Sequence, residues 1–186
     1  MECALKFFST LANLKEIYSM KTNAKKIVMA ALIAALACVA TMIIKIPSPL
    51  NGYVNLGDCV VLVAGWMLSP AYGFLVAGIG SAMADLFSGY VVYVPATFAI
   101  KGLMALIAYF VAKALQRKQK KFTAKIVSGI AAEIFMVVGY FVFEGFLYGF
   151  IPSAVNIPAN AVQGFAGIIM GILLASVFEK SKISFE

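Results

Sequence analysis

The sequence predicts an all-α integral membrane protein, a six-transmembrane-helix bundle with both termini in the cytoplasm. Three observations carry that reading. Hydrophobic residues make up 63% of the 186 and charged residues only 12%, about half the charge of an ordinary soluble domain. The apolar residues fall in continuous runs, several near the ~20 residues a bilayer crossing needs, rather than in the alternation of a membrane β-barrel. Thirteen of the fifteen basic residues lie in three clusters at the ends of those runs, which sets the orientation.

The spans are read in chain order. The first runs from about Lys25 to Ile46, behind Lys6, Lys15, Lys21, Lys25 and Lys26. The second, about Leu56 to Leu68, and the third, about Ala71 to Phe87, are separated only by Ser69-Pro70. The second is the shortest of the six, and a re-entrant hairpin of spans two and three is the competing reading. The fourth runs from about Val92 to Leu115. The fifth, about Ala124 to Phe150, follows the basic run Lys113, Arg117, Lys118, Lys120, Lys121 and Lys125, which has no acid in it. The sixth runs from about Pro158 to Phe178, ahead of Lys180 and Lys182. With the basic clusters inside, the loops around 48–55, 89–93 and 151–157 face outward.

Residues 21–186 form one membrane domain. Residues 1–20 are an N-terminal extension, either a short interfacial helix with Leu5, Phe8, Leu11 and Leu14 to one side or a start-site artefact, since Met20-Lys21 opens a conventional membrane-protein N-terminus.

Several chemistries are excluded at this level. The chain has no histidine, and Cys3, Cys38 and Cys59 show neither paired nor metal-ligand spacing. A structural disulfide, a zinc site and a histidine-activated nucleophile are therefore not expected. No G-x-x-x-x-G-K-[ST] phosphate loop is present, so ATP is not hydrolysed by that route. No catalytic or metal-ligating set emerges, and no cofactor is expected.

What remains is a set of charges within apolar stretches: Asp58, Asp85, Lys101, Glu133 and Glu144. A charge at hydrocarbon depth is costly unless it is paired or hydrated, so each marks a candidate site. The topology puts all but Glu133 near the outer side. Thr97 lies one turn outward of Lys101 on the same helix face. Asn156, Asn160 and Gln163 recur at i, i+4 and i+7 at the outer start of span six. The candidate substrate-binding residues are therefore Asp58, Asp85, Thr97, Lys101, Glu144, Asn160 and Gln163. Tyr53, Asn55 and Tyr93 from the outer loops close over them. Acids, amides, a lysine and tyrosines around one space suit a small heteroaromatic ligand. For single residues a plainer role also fits: Asp58 as a helix N-cap, Lys101 as a neutraliser of Asp85 or Glu144, and Tyr53, Tyr90 and Tyr93 as an aromatic belt. Glu133, deeper in span five, reads as a structural or coupling residue. Small residues form a second pattern. Ala30, Ala31, Ala34 and Ala35 make two overlapping small-xxx-small pairs on span one, able to pack inside the bundle or against a partner helix.

Met29–Thr41 (MAALIAALACVAT), Gly52–Asp58 (GYVNLGD), the Pro95-Ala96-Thr97 to Lys101-Gly102 segment, Glu133–Tyr140 and Asn160–Gly167 (NAVQGFAG) together resemble the substrate-binding S component of energy-coupling factor (ECF) vitamin transporters. The resemblance covers about residues 21–180 and is closest to the hydroxymethylpyrimidine and pyridoxine type, with riboflavin as the main competitor. It implies a multi-pass protein of the bacterial cell membrane that captures a small water-soluble vitamin or precursor from outside. It further implies docking on a transmembrane coupling subunit that bears two ATP-hydrolysing subunits. The family's A-x-x-x-A docking motif falls on Ala30/Ala34 or Ala31/Ala35, and both registers fit. A membrane-embedded enzyme lacks a nucleophile to accompany its carboxylates. The stronger alternative is an autonomous proton-coupled carrier, in which buried acids relay protons.

Overall fold

The computed structural model describes residues 24–48, 53–117 and 119–181; the extension expected over residues 1–20 lies outside them. Helix α1 spans Ala24–Ile43. A minimal hairpin follows, β1 (Ile46–Pro47) and β2 (Tyr53–Val54), antiparallel, with Ile46 opposite Val54 and Pro47 opposite Tyr53. The remaining elements are α2 (Gly57–Met67), α3 (Pro70–Phe87), α4 (Val94–Gln116), α5 (Lys121–Tyr148), the short α6 (Phe150–Ser153), a 3₁₀ turn (Ala154–Asn156) and α7 (Ile157–Lys180).

Local signals set these boundaries. A proline occupies the first turn of α3, α4 and α7, where its missing N–H has no helical partner to lose and its fixed φ suits the helix. Gly89 and Gly149, just beyond the ends of α3 and α5, have φ of +84° and +93°, a region in which a side chain is strained. The outer turns are thereby sharp.

Five segments among the described residues are long and apolar enough to cross a bilayer: α1, α3, α4, α5 and the continuous stretch Phe150–Lys180. Six full crossings were expected, and α2 is the difference. Its 11 residues extend about 16 Å at ~1.5 Å per residue, roughly half the hydrocarbon thickness. The physical reason is its position. Nine of its residues, Gly57 to Gly65, are buried, so α2 is a core helix enclosed by its neighbours.

Two apolar clusters hold the bundle around α2. Ala30, Ile33 and Ala37 of α1 pack on Cys59, Val60 and Ala64 of α2 and Val76 of α3. On the other side Val61 and Leu62 meet Ala77 of α3, Ile100 and Met104 of α4, and Ala132 and Met136 of α5. Close approach depends on small residues. A side chain at Gly80 of α3 would lie 2.5 Å from the Ala34 carbonyl oxygen of α1, so that crossing is open to glycine alone. Outward rows such as Ile27, Leu32 and Val39 on α1 and Ile130, Ile134 and Val138 on α5 remain exposed, as bilayer-facing surface is. At the end carrying the basic 113–125 run, Lys125 of α5 pairs with Glu179 of α7 at 2.9 Å, and Trp66 of α2 donates to Ser128 of α5 at 2.9 Å.

Candidate functional site

The opposite end of the bundle holds a polar cleft, built by the β-hairpin, the start of α4 and the outer ends of α3, α5 and α7. Eight of the ten residues singled out from sequence line it: Tyr53, Asn55, Asp85, Tyr93, Thr97, Glu144, Asn160 and Gln163. Ser48, Tyr90 and Tyr140 complete the wall. Tyr140 stands one turn from Glu144 on α5, so the helical period already placed it on this face. Tyr90 was legible only as an aromatic of the outer turn, and nothing in the sequence marked Ser48.

Each cleft acid is matched by donors. Tyr53 donates its hydroxyl to Asp85 Oδ1 at 2.5 Å. Tyr93 donates to Glu144 Oε1 at 3.3 Å, and Asn156 Nδ2 donates to Glu144 Oε2 at 2.9 Å. Asp85 and Glu144 are both buried, at 5% and 3% exposure. Burial, reinforced by the adjacent Asp85 and Glu144 charges respectively, pushes the Tyr53 and Tyr93 phenols well above their ordinary range. They remain donors at any physiological pH. Thr97 Oγ1 and the Tyr140 hydroxyl share a further hydrogen bond at 3.0 Å.

The tyrosines also make the lid. Tyr53 and Tyr90 lie with ring centroids 4.7 Å apart, Tyr90 meets Tyr93 edge-on at 6.4 Å, and Tyr93 meets Phe143 at 5.4 Å. The free space in the cleft is about 30 Å³, room for only a few waters.

Asp58 and Lys101 do not line the cleft. They lie beneath its floor, where Lys101 Nζ donates to Asp58 Oδ1. Gln163 Nε2 donates to Asp58 Oδ2 at 2.7 Å, and Gln163 Oε1 accepts from the Asn55 backbone N–H at 2.9 Å. Asn55 Oδ1 in turn accepts from the Gly57 N–H at 2.8 Å, so Asn55 satisfies a start-of-helix donor of α2 and Asp58 does not. The lysine's partner is thus Asp58 rather than Asp85 or Glu144. Lys45 stands exposed near the rim, donating to Ser88 at 2.7 Å. Among the described residues, no cation lines the cleft.

The A-x-x-x-A registers separate by exposure. Ala30 is buried and Ala34 half-buried against α3, whereas Ala31 and Ala35 are exposed.

The family model for the S component of ECF-type riboflavin transporters matches residues 21–180. The chain belongs to this family. The S component is the substrate-binding subunit of an ECF transporter, so the protein is an integral membrane transport subunit and not an enzyme, and proteins of this kind associate with other ECF subunits in the membrane. A Pyrococcus woesei protein, described as an uncharacterized protein in the gap 3′ region, is 31% identical over 143 residues, 76% of this chain and 93% of its own. Among solved structures, the S component of a bacterial ECF transporter superposes with a TM-score of 0.64 at 25% identity, over 87% of this chain and 99% of that one. The S component for biotin from an ECF-type ABC transporter gives 0.62 at 16% identity, over 89% and 95%, a likeness of fold alone.

Proposed function

We propose that this S component captures a small, uncharged or cationic heteroaromatic vitamin or precursor, of the hydroxymethylpyrimidine or pyridoxine type, from outside a bacterial plasma membrane. The carrying observation is a cleft with two buried carboxylates, Asp85 and Glu144, walled by tyrosines and, among the described residues, with no lining cation. Carboxylates accept hydrogen bonds from amino and hydroxymethyl groups, the amides of Asn160 and Gln163 serve ring nitrogens or hydroxyls, and tyrosine rings stack on the heterocycle. An anionic ligand would have to approach two buried acids, with Lys45 only at the rim and Lys101 already paired with Asp58.

Riboflavin is the second reading, favoured by the family model's own description. Isothermal titration of the purified chain with hydroxymethylpyrimidine, pyridoxine and riboflavin separates the two. Saturable binding of a single-ring compound is expected. Tight binding of riboflavin with none of the others overturns the assignment.

Transfer is driven by partner ATPases through a transmembrane coupling subunit, with no cofactor in this chain. The exposed Ala31/Ala35 pair is the register offered to that subunit. Ala35→Trp should abolish vitamin uptake by the assembled transporter while leaving binding to the isolated chain unchanged, because the ring prevents the ~8 Å helix approach that small residues allow. Uptake by proteoliposomes of this chain alone, driven by a proton gradient without ATP, would instead support a proton-coupled carrier.

A further inference from the structure

Between α5 and α7, away from the cleft, an apolar groove of about 340 Å³ opens on the outer surface of the bundle. Its walls are aliphatic and aromatic, among them Ile134, Val138, Phe165 and Ile168, and one acid, Glu133, lies at its base. Glu133 is 5% exposed, and neither of its carboxylate oxygens has a hydrogen-bond partner among the described residues. The α7 backbone presses on it. A Cβ at Gly164 would lie 3.1 Å from Oε2, and one at Gly167 would lie 3.0 Å from Oε1.

The groups facing Glu133 offer one positive charge, and it is shared with another acid. From α2 come Asp58 and the Cys59 thiol, and from α4 comes Lys101. Lys101 is already committed to Asp58, whose second oxygen takes the Gln163 amide. From α7, Gly164 and Gly167 lie against the carboxyl, and Ala161, Phe165 and Ile168 line the same groove. An ionised carboxylate here would be buried, unbonded and beside another acid, with hydrocarbon on its open side. Such a group takes up a proton instead.

We propose that Glu133 is a proton-binding site reached from the bilayer: a carboxylic acid held neutral within the α5–α7 interface and accessible to apolar reagents through the groove. Neutral Glu133 leaves Lys101 to Asp58. Loss of its proton would create a second claimant for the same ammonium, so the site sits where interior charge meets the floor of the cleft. The inference does not depend on which vitamin the cleft takes.

Dicyclohexylcarbodiimide provides the test, because it partitions into apolar phases and reacts with the protonated form of a carboxyl. The acid O–H adds across one C=N bond, the proton going to nitrogen and the oxygen to the central carbon. The acyl group then migrates to nitrogen, leaving a stable N-acylurea with no leaving group lost. The full chain in lipid nanodiscs is treated with this reagent or with a water-soluble carbodiimide, and the adduct is mapped by peptide mass spectrometry. Adduct at Glu133 is expected from the apolar reagent, declining as pH rises, and not from the soluble one, which should mark exposed Glu179. A carboxylic C=O stretch at neutral pH, absent in Glu133→Gln, is the independent readout in infrared difference spectra. Absence of that band overturns the proton site. Adduct confined to Asp85, Glu144 or Glu179 overturns access from the bilayer.

Discussion

The outer cleft and the α5–α7 groove both hold buried acids, yet they are built on opposite terms. In the cleft, Asp85 and Glu144 each receive donors from residues on other elements, and the free space is about 30 Å³. In the groove, Glu133 receives none, and the space is about 340 Å³. The larger hole is therefore not the better ligand site. A solute from water needs polar partners to replace its hydration, and only the cleft supplies them. Donors already bound to carboxylates can be exchanged for a ligand's donors at little net cost. A bare acid has nothing to exchange, and its remedy is a proton.

Substitutions that separate the two regions sharpen this contrast. The largest effect is expected beneath the cleft, at the only fully buried ion pair among the described residues. Lys101→Ala takes the cation from Asp58, which is 0% exposed, and should cost ~3–5 kcal/mol of stability. Thermal unfolding in detergent should show a much lower midpoint. An unchanged midpoint would mean the pair contributes nothing to folding.

Next come the cleft acids. Glu144→Ala strands the Asn156 amide and removes a ligand partner, so affinity should fall ~5- to 150-fold, equivalent to ~1–3 kcal/mol. Calorimetry on the folded variant measures it, with Gln116→Ala at the far end of α4 as the control. Wild-type affinity in both Glu144→Ala and Asp85→Ala would dissolve the distinction between cleft and groove.

The smallest effect is expected at Glu133. Glu133→Leu breaks no hydrogen bond, so stability should hold or rise by up to ~1–3 kcal/mol, the desolvation cost of an unpartnered polar group. Ligand affinity should stay near that of the parent. A strong destabilisation, read by the same melting assay, would show that the carboxyl has a partner in the folded protein.

Much of this was legible in the sequence, for reasons that also mark where legibility stops. Hydropathy located α1, α3, α4, α5 and α7 because a bilayer demands long apolar runs. It misjudged α2, because a helix buried on all sides by protein has the same composition as one buried in lipid. Topology and helical period brought eight lining residues to one end, since each depends only on its own helix. Pairing is different. Lys101 could equally have met Asp85 or Glu144, and the choice of Asp58 depends on how α2 sits against α4, 43 residues apart in sequence. The contact of Gly164 and Gly167 with Glu133 is likewise a property of two packed helices, invisible in either alone.

The ion pair under the cleft floor also has a consequence for substitution. Since Asp58 and Lys101 satisfy one another and fasten Gln163 and Asn55 from below, the scaffold does not rely on the residues above for its integrity. Replacing Tyr90 or Asn160 at the mouth leaves each of these bonds in place, whereas replacing Asn55 or Gln163, which serve both wall and foundation, does not.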